Sequence, residues 1–259
     1  MLSLFACNVR TPSNKYNNES LVKQTNDYQM MAILYNYYAA EYKALAYQAF
    51  NMATDRLQQV RIKEPERKNL AVIVDIDETI LDNSPYQAKL LELNTTYDSC
   101  WNAWCNLALA RAVPGAVEFL QYADSLRFNI FYVSNRKAIL EDATIKNLQK
   151  LGFPQLSGDH FYLRTTDSGK ETRRNKIAEK YEIVLLAGDN LGDFFPDTQL
   201  YQQRDSIVEA RRKDFGKKFI VLPNAIYGNW PASIGIKRNQ FPSDSLLEKM
   251  TEGFNGTCN

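Results

Sequence analysis

An α/β fold, a Rossmann-like parallel sheet with helices on both faces, is predicted by three observations. Apolar runs starting at Leu70, Phe128, Phe161, Ile183 and Phe219 read as strands, and the stretches between them carry helical spacing. Strand and helix alternate from residue 70 to residue 222, the pattern of right-handed βαβ crossovers on a parallel sheet. Three of the runs stop in polar groups, Asp75/Asp77, Ser134/Asn135 and Asp189/Asp193, and parallel strands bring such ends to one edge of a sheet, where ligands collect.

In chain order, residues 1–18 read as a leader and tether. Residues 19–64 carry Met30, Met31, Leu34, Tyr35, Tyr38, Tyr42, Leu45, Ala46, Ala49 and Phe50 at helical spacing without Gly or Pro. They predict one long or two abutting amphipathic helices belonging to a smaller, mainly helical subdomain. Pro65 and the charged run around it lead into the α/β core, residues 65–225. Leu70–Val74 is a strand buried on both faces. A cap-like insertion follows at 82–113, rich in Tyr and Trp and without a clear period; it is long for a βα connection, and such loops tend to be functional.

Pro114 fits the first turn of a helix ending near Leu126. Phe128–Val133 is the next strand, and a helix over 137–151 closes at Gly152. Phe161–Leu163 is a short strand, followed by a polar loop, Lys170 and a basic helix. Ile183–Ala187, a helix over 200–213 and Phe219–Leu222 complete the core. The C-terminal segment, 226–259, is expected to pack on the helical subdomain through a short helix near 244–250.

The chain has 259 residues, 45% apolar and 24% charged, enough for a substantial core and contrary to disorder. Net charge is +1 with the signs interspersed, so neither a nucleic-acid polymer nor a basic partner is indicated. The single histidine, His160, argues against a histidine-based phosphatase, a multi-histidine zinc site and bis-histidine haem ligation. No apolar stretch reaches the roughly 18 residues needed to span a bilayer.

Leu4-Phe5-Ala6-Cys7 resembles the end of a bacterial lipoprotein signal, without its charged and long apolar parts; either the start is truncated or the match is accidental. We expect Cys7 to be lipidated, with Asn8–Asn18 as tether and the membrane reached only through that anchor. Cys100, Cys105 and Cys258 then remain, an odd number, and either Cys100–Cys105 or Cys105–Cys258 could bridge in an oxidising compartment. Cys105 to Arg111 has the spacing of cysteine phosphatases, but its interior, Asn-Leu-Ala-Leu-Ala, forms helix and lacks the glycine of a phosphate-cradling loop.

Carboxylates gathered at one sheet edge repel each other unless a cation sits among them, and all-oxygen ligation suits Mg²⁺, one per chain. The Ser134 hydroxyl, the Asn135 amide and the Lys170 ammonium would hold an anion facing that metal.

With Asp75-x-Asp77-x-Thr79, Ser134, Lys170 and Gly188-Asp189-x-x-x-Asp193, the chain resembles the haloacid-dehalogenase (HAD) superfamily of phosphohydrolases. Within it, Glu41–Ala49, Leu81–Tyr86, Val113–Phe119, Phe215–Asn224 and Tyr227-Gly228-x-Trp230 are similar to class C acid phosphatases of the bacterial lipoprotein e type. The resemblance covers about residues 30–230 and implies the following roles. Asp75 is the nucleophile and becomes an aspartyl-phosphate. Asp77 is general acid and then base, a task that calls for its pKa to be raised by neighbouring charge. Asp75, the Asp77 carbonyl and Asp189 hold Mg²⁺, and Asp193 orders metal-bound water. Ser134, Asn135 and Lys170 bind the phosphoryl oxygens.

The resemblance also implies nucleoside 5′-monophosphate substrates, a bacterial envelope location on the periplasmic side as an outer-membrane lipoprotein, and a homodimer. Tyr97, Trp101 and Tyr227 are candidates for stacking on the leaving group, with plain packing of the insertion as the competing account. The alternatives are a non-catalytic storage, surface or haem-binding relative, and phosphotransfer on the same scaffold.

Overall fold

The computed structural model describes residues 29–95, 98, 100–166, 168–196 and 200–236. Cys7, Tyr97, Cys258 and the helix expected near 244–250 lie outside the described residues. The chain is helical over 29–38 (α1), breaks at Ala39, and continues as α2 (Ala40–Lys63), so the predicted pair of abutting helices forms.

Five strands, β1 (Leu70–Val74), β4 (Asn129–Lys137), β5 (Phe161–Arg164), β6 (Glu182–Gly188) and β7 (Phe219–Val221), make a parallel sheet in the order β5-β4-β1-β6-β7. β1 lies at the centre and is buried on both faces, as an uninterrupted apolar run requires. Side chains leave it alternately. Leu70, Val72 and Val74 join one core and Ala71 and Ile73 the other, and β4 repeats the division with Ile130 and Tyr132 against Phe131 and Val133.

α2 and α5 (Ala116–Ser125) cover the first face, with Leu148 of α6 (Glu141–Leu151) packing there too. α7 (Glu171–Ala178) and the turn carrying Phe194 cover the second. The two faces are therefore both layered, as the alternation predicts. α8 (Tyr201–Arg211) precedes β7, and α9 (Trp230–Ser233) ends the described region.

The structure differs from the sequence expectations in several places. α2 contributes Ala46, Ala49, Phe50, Ala53, Leu57 and Val60 to the same core as β1, so no break in packing falls at residue 64. Ladder pairing alone does not disclose this, because the amphipathic pattern says that a helix has an apolar face without saying what meets it. Tyr35 and Tyr38, expected in a buried stripe, are exposed; of its three tyrosines only Tyr42 is fully buried.

β4 runs on to Lys137 through Ser134-Asn135-Arg136, polar residues that an apolar-run criterion cuts off. α5 starts at Ala116, and Pro114 stands in the preceding turn while Gly115, at φ +87, supplies the left-handed residue before it. The described part of the 82–113 insertion holds α3 (Ser84–Glu92), α4 (Trp101–Leu107) and a two-stranded ladder of β2 (Leu81–Asp82) with β3 (Arg111–Ala112). Cys100 and Cys105 are free thiols, so the Cys100–Cys105 bridge is absent. Among the described residues no helix is long and apolar enough to cross a membrane.

Phe50 of α2 is 2% exposed and stacks on Phe119 of α5 with centroids 5.4 Å apart. Phe50→Ala is expected to cost about 3–5 kcal/mol, read as a fall in the midpoint of urea unfolding in a single transition. A second, separate transition for the N-terminal helices would instead restore the two-subdomain division.

Candidate active site

The buried run of β1 ends where the backbone N–H of Asp75 donates to Ala187 O of β6 at 3.0 Å, one step beyond the strand's own ladder. This bond seats the Asp75 carboxyl at the sheet edge. Glu78 then takes φ +58, unusual for a residue with a side chain, and its N–H reaches Leu81 O at 2.8 Å to close the turn. Asn83 N–H donates to the Glu78 carboxyl at 2.8 Å, and burial pushes the Glu78 pKa well up.

Asp75, Asp189 and Asp193 place a carboxylate oxygen each within 4.8 Å of one another. They come from the ends of β1 and β6 and from the turn behind β6. Lys170, buried at the head of α7, donates to Asp75 Oδ1 and, at 2.6 Å, to Asp193 Oδ1. Three carboxylates and one ammonium leave a formal charge of −2. Burial raises the Asp75 carboxyl to about 6 against the pull of Lys170, and burial with Asp193 and Asp75 nearby holds Asp189 well above its ordinary range. A buried, all-oxygen, doubly negative cluster fits a hard divalent cation. Asp193, expected to stand behind the metal, belongs to the cluster itself.

The cluster is braced from outside. Thr79 Oγ1 lies 3.3 Å from Asp75 Oδ2 and 3.2 Å from Asp189 Oδ1. Asn224 Nδ2 donates to Asp189 Oδ2 at 2.7 Å, and Asn190 N–H donates to Asp193 Oδ2 at 2.8 Å. Arg174 donates to the carbonyls of Gly192 and Asp193, each at 2.9 Å.

Asp77 faces a different set of groups. Arg136, 2% exposed, donates to Asp77 Oδ1 from Nε at 3.0 Å and Nη2 at 2.8 Å, and Asn83 Nδ2 adds a bond of 2.9 Å to the same oxygen. The direct partners of Asp77 are thus a guanidinium and an amide, because β4 continues past Ser134 far enough to bring Arg136 alongside. Thr144 Oγ1 accepts from Arg136 Nη1 at 3.1 Å, and the guanidinium sits 5.5 Å from the Trp101 ring centroid.

A cavity of about 340 Å³ opens over these groups. Every predicted site residue among the described ones lines it: the four aspartates, Ser134, Asn135, Lys170, Trp101 and Tyr227. Ser134 is fully buried and its Oγ accepts from Arg136 N–H at 3.2 Å. Trp101 is 4% exposed, edge-on to Tyr86 at 4.9 Å and packed with Leu90, Cys105 and Leu140. That burial leaves its ring little surface for a stacked base, whereas Tyr227 is half-buried. Cys105 sits inside α4 with its thiol pushed up to about 11 by burial, so no reactive thiolate forms there. His160 stacks on Phe131, its Nδ1 2.7 Å from Ile130 O, and takes no part in the cavity.

Asn83, Arg136, Arg173, Arg174 and Asn224 are the functional neighbours that sequence reasoning passed over. Asn224 had a signal: it stands shortly after β7, whose last residue, Val221, pairs with Gly188 beside Asp189. Arg173 and Arg174, three and four residues after Lys170, share its side of a helix.

Aspartates at the ends of two neighbouring parallel strands, a lysine between them and a hydroxyl on the next strand define a phosphoryl-transfer site of the HAD type. Residues 4–230 match the family described as HAD superfamily, subfamily IIIB (acid phosphatase), and the chain belongs to that family. A class C acid phosphatase from Bacillus anthracis with tungstate bound superposes with a TM-score of 0.78 at 37% identity, covering 90% of this chain and 99% of that one.

Acid phosphatase 1 of Solanum lycopersicum is 28% identical over 137 residues, 50% of this chain and 54% of that protein, so the aligned part spans about half of this relative's length. Vegetative storage protein 1 of Arabidopsis thaliana is 30% identical over 136 residues, 49% of each.

Gly188 precedes Asp189 with no room for a side chain, since a Cβ there would lie 2.4 Å from the Asp193 carboxylate. Gly188→Ala must displace Asp193 from Lys170 and Asn190. It is expected to cost about 1–3 kcal/mol as overpacking, measured as the shift in urea midpoint; an unchanged midpoint would show that the turn yields freely.

Proposed function

We propose that this chain is a divalent-cation-dependent acid phosphatase that hydrolyses phosphomonoesters, nucleoside 5′-monophosphates among them, through an aspartyl-phosphate on Asp75. The observation that carries this is the Asp75 carboxylate held against Lys170 inside a cluster with a formal charge of −2. The presence of Asp75, Asp77, Lys170, Asp189 and Asp193 together favours catalysis over a storage role.

Lys170 keeps Asp75 ionised and aimed, so that a carboxylate oxygen attacks phosphorus in line with the ester oxygen. The P–O ester bond breaks as the Asp75–phosphorus bond forms, and the departing alkoxide takes a proton from Asp77. Oδ1 of Asp77 takes three short bonds from Asn83 and Arg136, whereas Oδ2 takes only a longer one of 3.3 Å from Arg136 Nε, which makes Oδ2 the oxygen better placed to carry the proton. Asp77 then removes a proton from water, the water oxygen attacks phosphorus, and inorganic phosphate departs with Asp75 restored. Ser134, Asn135 and Lys170 hold the non-bridging oxygens. Asp75, Asp189, Asp193 and the Asp77 carbonyl are the groups available to Mg²⁺, which when bound neutralises the charge of the phosphoryl group and the cluster.

Chelation should abolish turnover of a chromogenic phosphate ester, with recovery on adding Mg²⁺, and Asp75→Asn should abolish it permanently. Mg²⁺ at about 100 times Kd should stabilise the metal-free protein by about 2.7 kcal/mol, a rise of roughly 5–10 °C in Tm for a chain of this size, and Asp189→Asn should remove that rise. Full activity in chelator, or of Asp75→Asn, defeats the proposal. Phosphate passing mainly to an added alcohol would identify a phosphotransferase instead.

Charge at the cluster is common to every phosphomonoester, so discrimination falls to groups that meet the leaving group. Stacking on an aromatic ring is worth ~1–3 kcal/mol, so Tyr227→Leu should lower the ratio of kcat/KM for a nucleoside monophosphate over a small ester by about 5- to 150-fold. Trp101→Leu should lower both rates together, since its ring packs on the guanidinium that holds Asp77. A selective effect at Trp101 would return it to the leaving-group site.

A further inference from the structure

Arg173 lies in the first turn of α7 and its guanidinium reaches three separate segments. Nη1 donates to Ser134 O at 2.5 Å and to Tyr162 O at 3.2 Å. Nη2 donates to Asn135 Oδ1 at 2.6 Å and to the carbonyls of Ser168 and Gly169, each at 3.2 Å. Ser134 and Asn135 end the regular part of β4; Ser168 and Gly169 lead into Lys170.

These segments need a fastener. The β4–β5 ladder is regular at Val133 but shifts register before Lys137, so sheet hydrogen bonding does not fix Ser134 and Asn135 against the neighbouring strand. Arg173 occupies that irregular stretch and does not itself line the cavity. Its bond to Asn135 has a second effect. With Oδ1 accepting from the guanidinium, the Asn135 amide offers its N–H groups elsewhere, and Asn135 lines the cavity.

We infer that Arg173 is a positioning residue for the oxyanion: its planar fork fixes the spacing between the Ser134-Asn135 strand end and the turn that presents Lys170, and turns the Asn135 amide donor toward the phosphoryl group. The inference rests on the phosphomonoester reading of this site. A lysine cannot substitute, because a point charge with three donors does not span acceptors lying on two sides of a planar group.

The test uses the full chain and inorganic phosphate and tungstate as probes. Charge-assisted bonds of this kind are the stronger class, and Arg173→Met is expected to raise the inhibition constants of both anions, and KM for a small ester, by about tenfold or more. The selectivity ratio between a nucleotide and that ester should stay at its wild-type value. Arg173→Lys should remain weakened, and added guanidinium ion, but not ammonium, should restore anion affinity in Arg173→Ala.

A lowered Tm with unchanged inhibition constants in all three variants would show a purely structural role and overturn the inference. Should Arg173→Met not fold, Arg173→Lys alone decides, since wild-type anion affinity there is incompatible with a required fork. A wild-type protein that neither turns over esters nor binds phosphate would instead overturn the phosphatase proposal, and this inference with it.

Discussion

Lys170 holds two carboxylates from different parts of the chain, Asp75 at the end of β1 and Asp193 behind β6, and its ammonium offsets part of their mutual repulsion. Buried like charges at this range repel strongly, and burial alone already drives Asp75 and Asp189 toward the protonated form. One lysine cannot balance three aspartates. The surplus negative charge stands at the base of a cavity, in reach of a cation and a phosphoryl group but sheltered from bulk water. The sheet makes this possible: β1, buried on both faces, offers a rigid base from which a carboxylate can be presented without moving.

Around that centre the protein spends many hydrogen bonds on backbone carbonyls and side-chain amides. Arg174 ties the turn bearing Asp193, Arg173 ties the end of β4 to the loop before Lys170, and Asn224 holds Asp189 from the end of β7. Two adjacent arginines on one short helix thereby reach opposite sides of the phosphoryl site. Because α7 also carries Lys170 at its start, its placement sets at once the ammonium, the loop joined to the end of β4 and the turn bearing Asp193.

The framework was legible because apolar runs report burial directly and because parallel strands bring their carboxyl ends together. Asp75, Ser134 and Asp189 could be assigned to one edge from that rule alone, and Lys170 from the motif order. The strand ends were not legible where polar residues carry on the ladder: β4 reaches Lys137, and stopping at Val133 hid Arg136 and hence the partner of Asp77. Nor does composition tell a buried aromatic from a receptive one. Trp101 and Tyr227 look alike in sequence and both line the cavity, but Trp101 is buried against Tyr86 and Arg136 while Tyr227 is half-buried. The partner of α2 was hidden for a related reason, since an apolar stripe is equally satisfied by a sheet or by a second domain.

Asn83 gives the insertion an unexpected bearing on the chemistry. Its Nδ2 holds Asp77, its Oδ1 accepts from Trp104 Nε1 at 2.8 Å, and its backbone N–H meets Glu78. In the proposed reaction, the insertion and the carboxylate that would protonate the leaving group are thus one mechanical piece. A descendant of this chain that reshaped the insertion to admit a different ester would disturb its own proton donor in the same step. Tyr227 lines the same cavity and is not among the groups that hold Asp77, so diversification of substrate range should proceed around it instead.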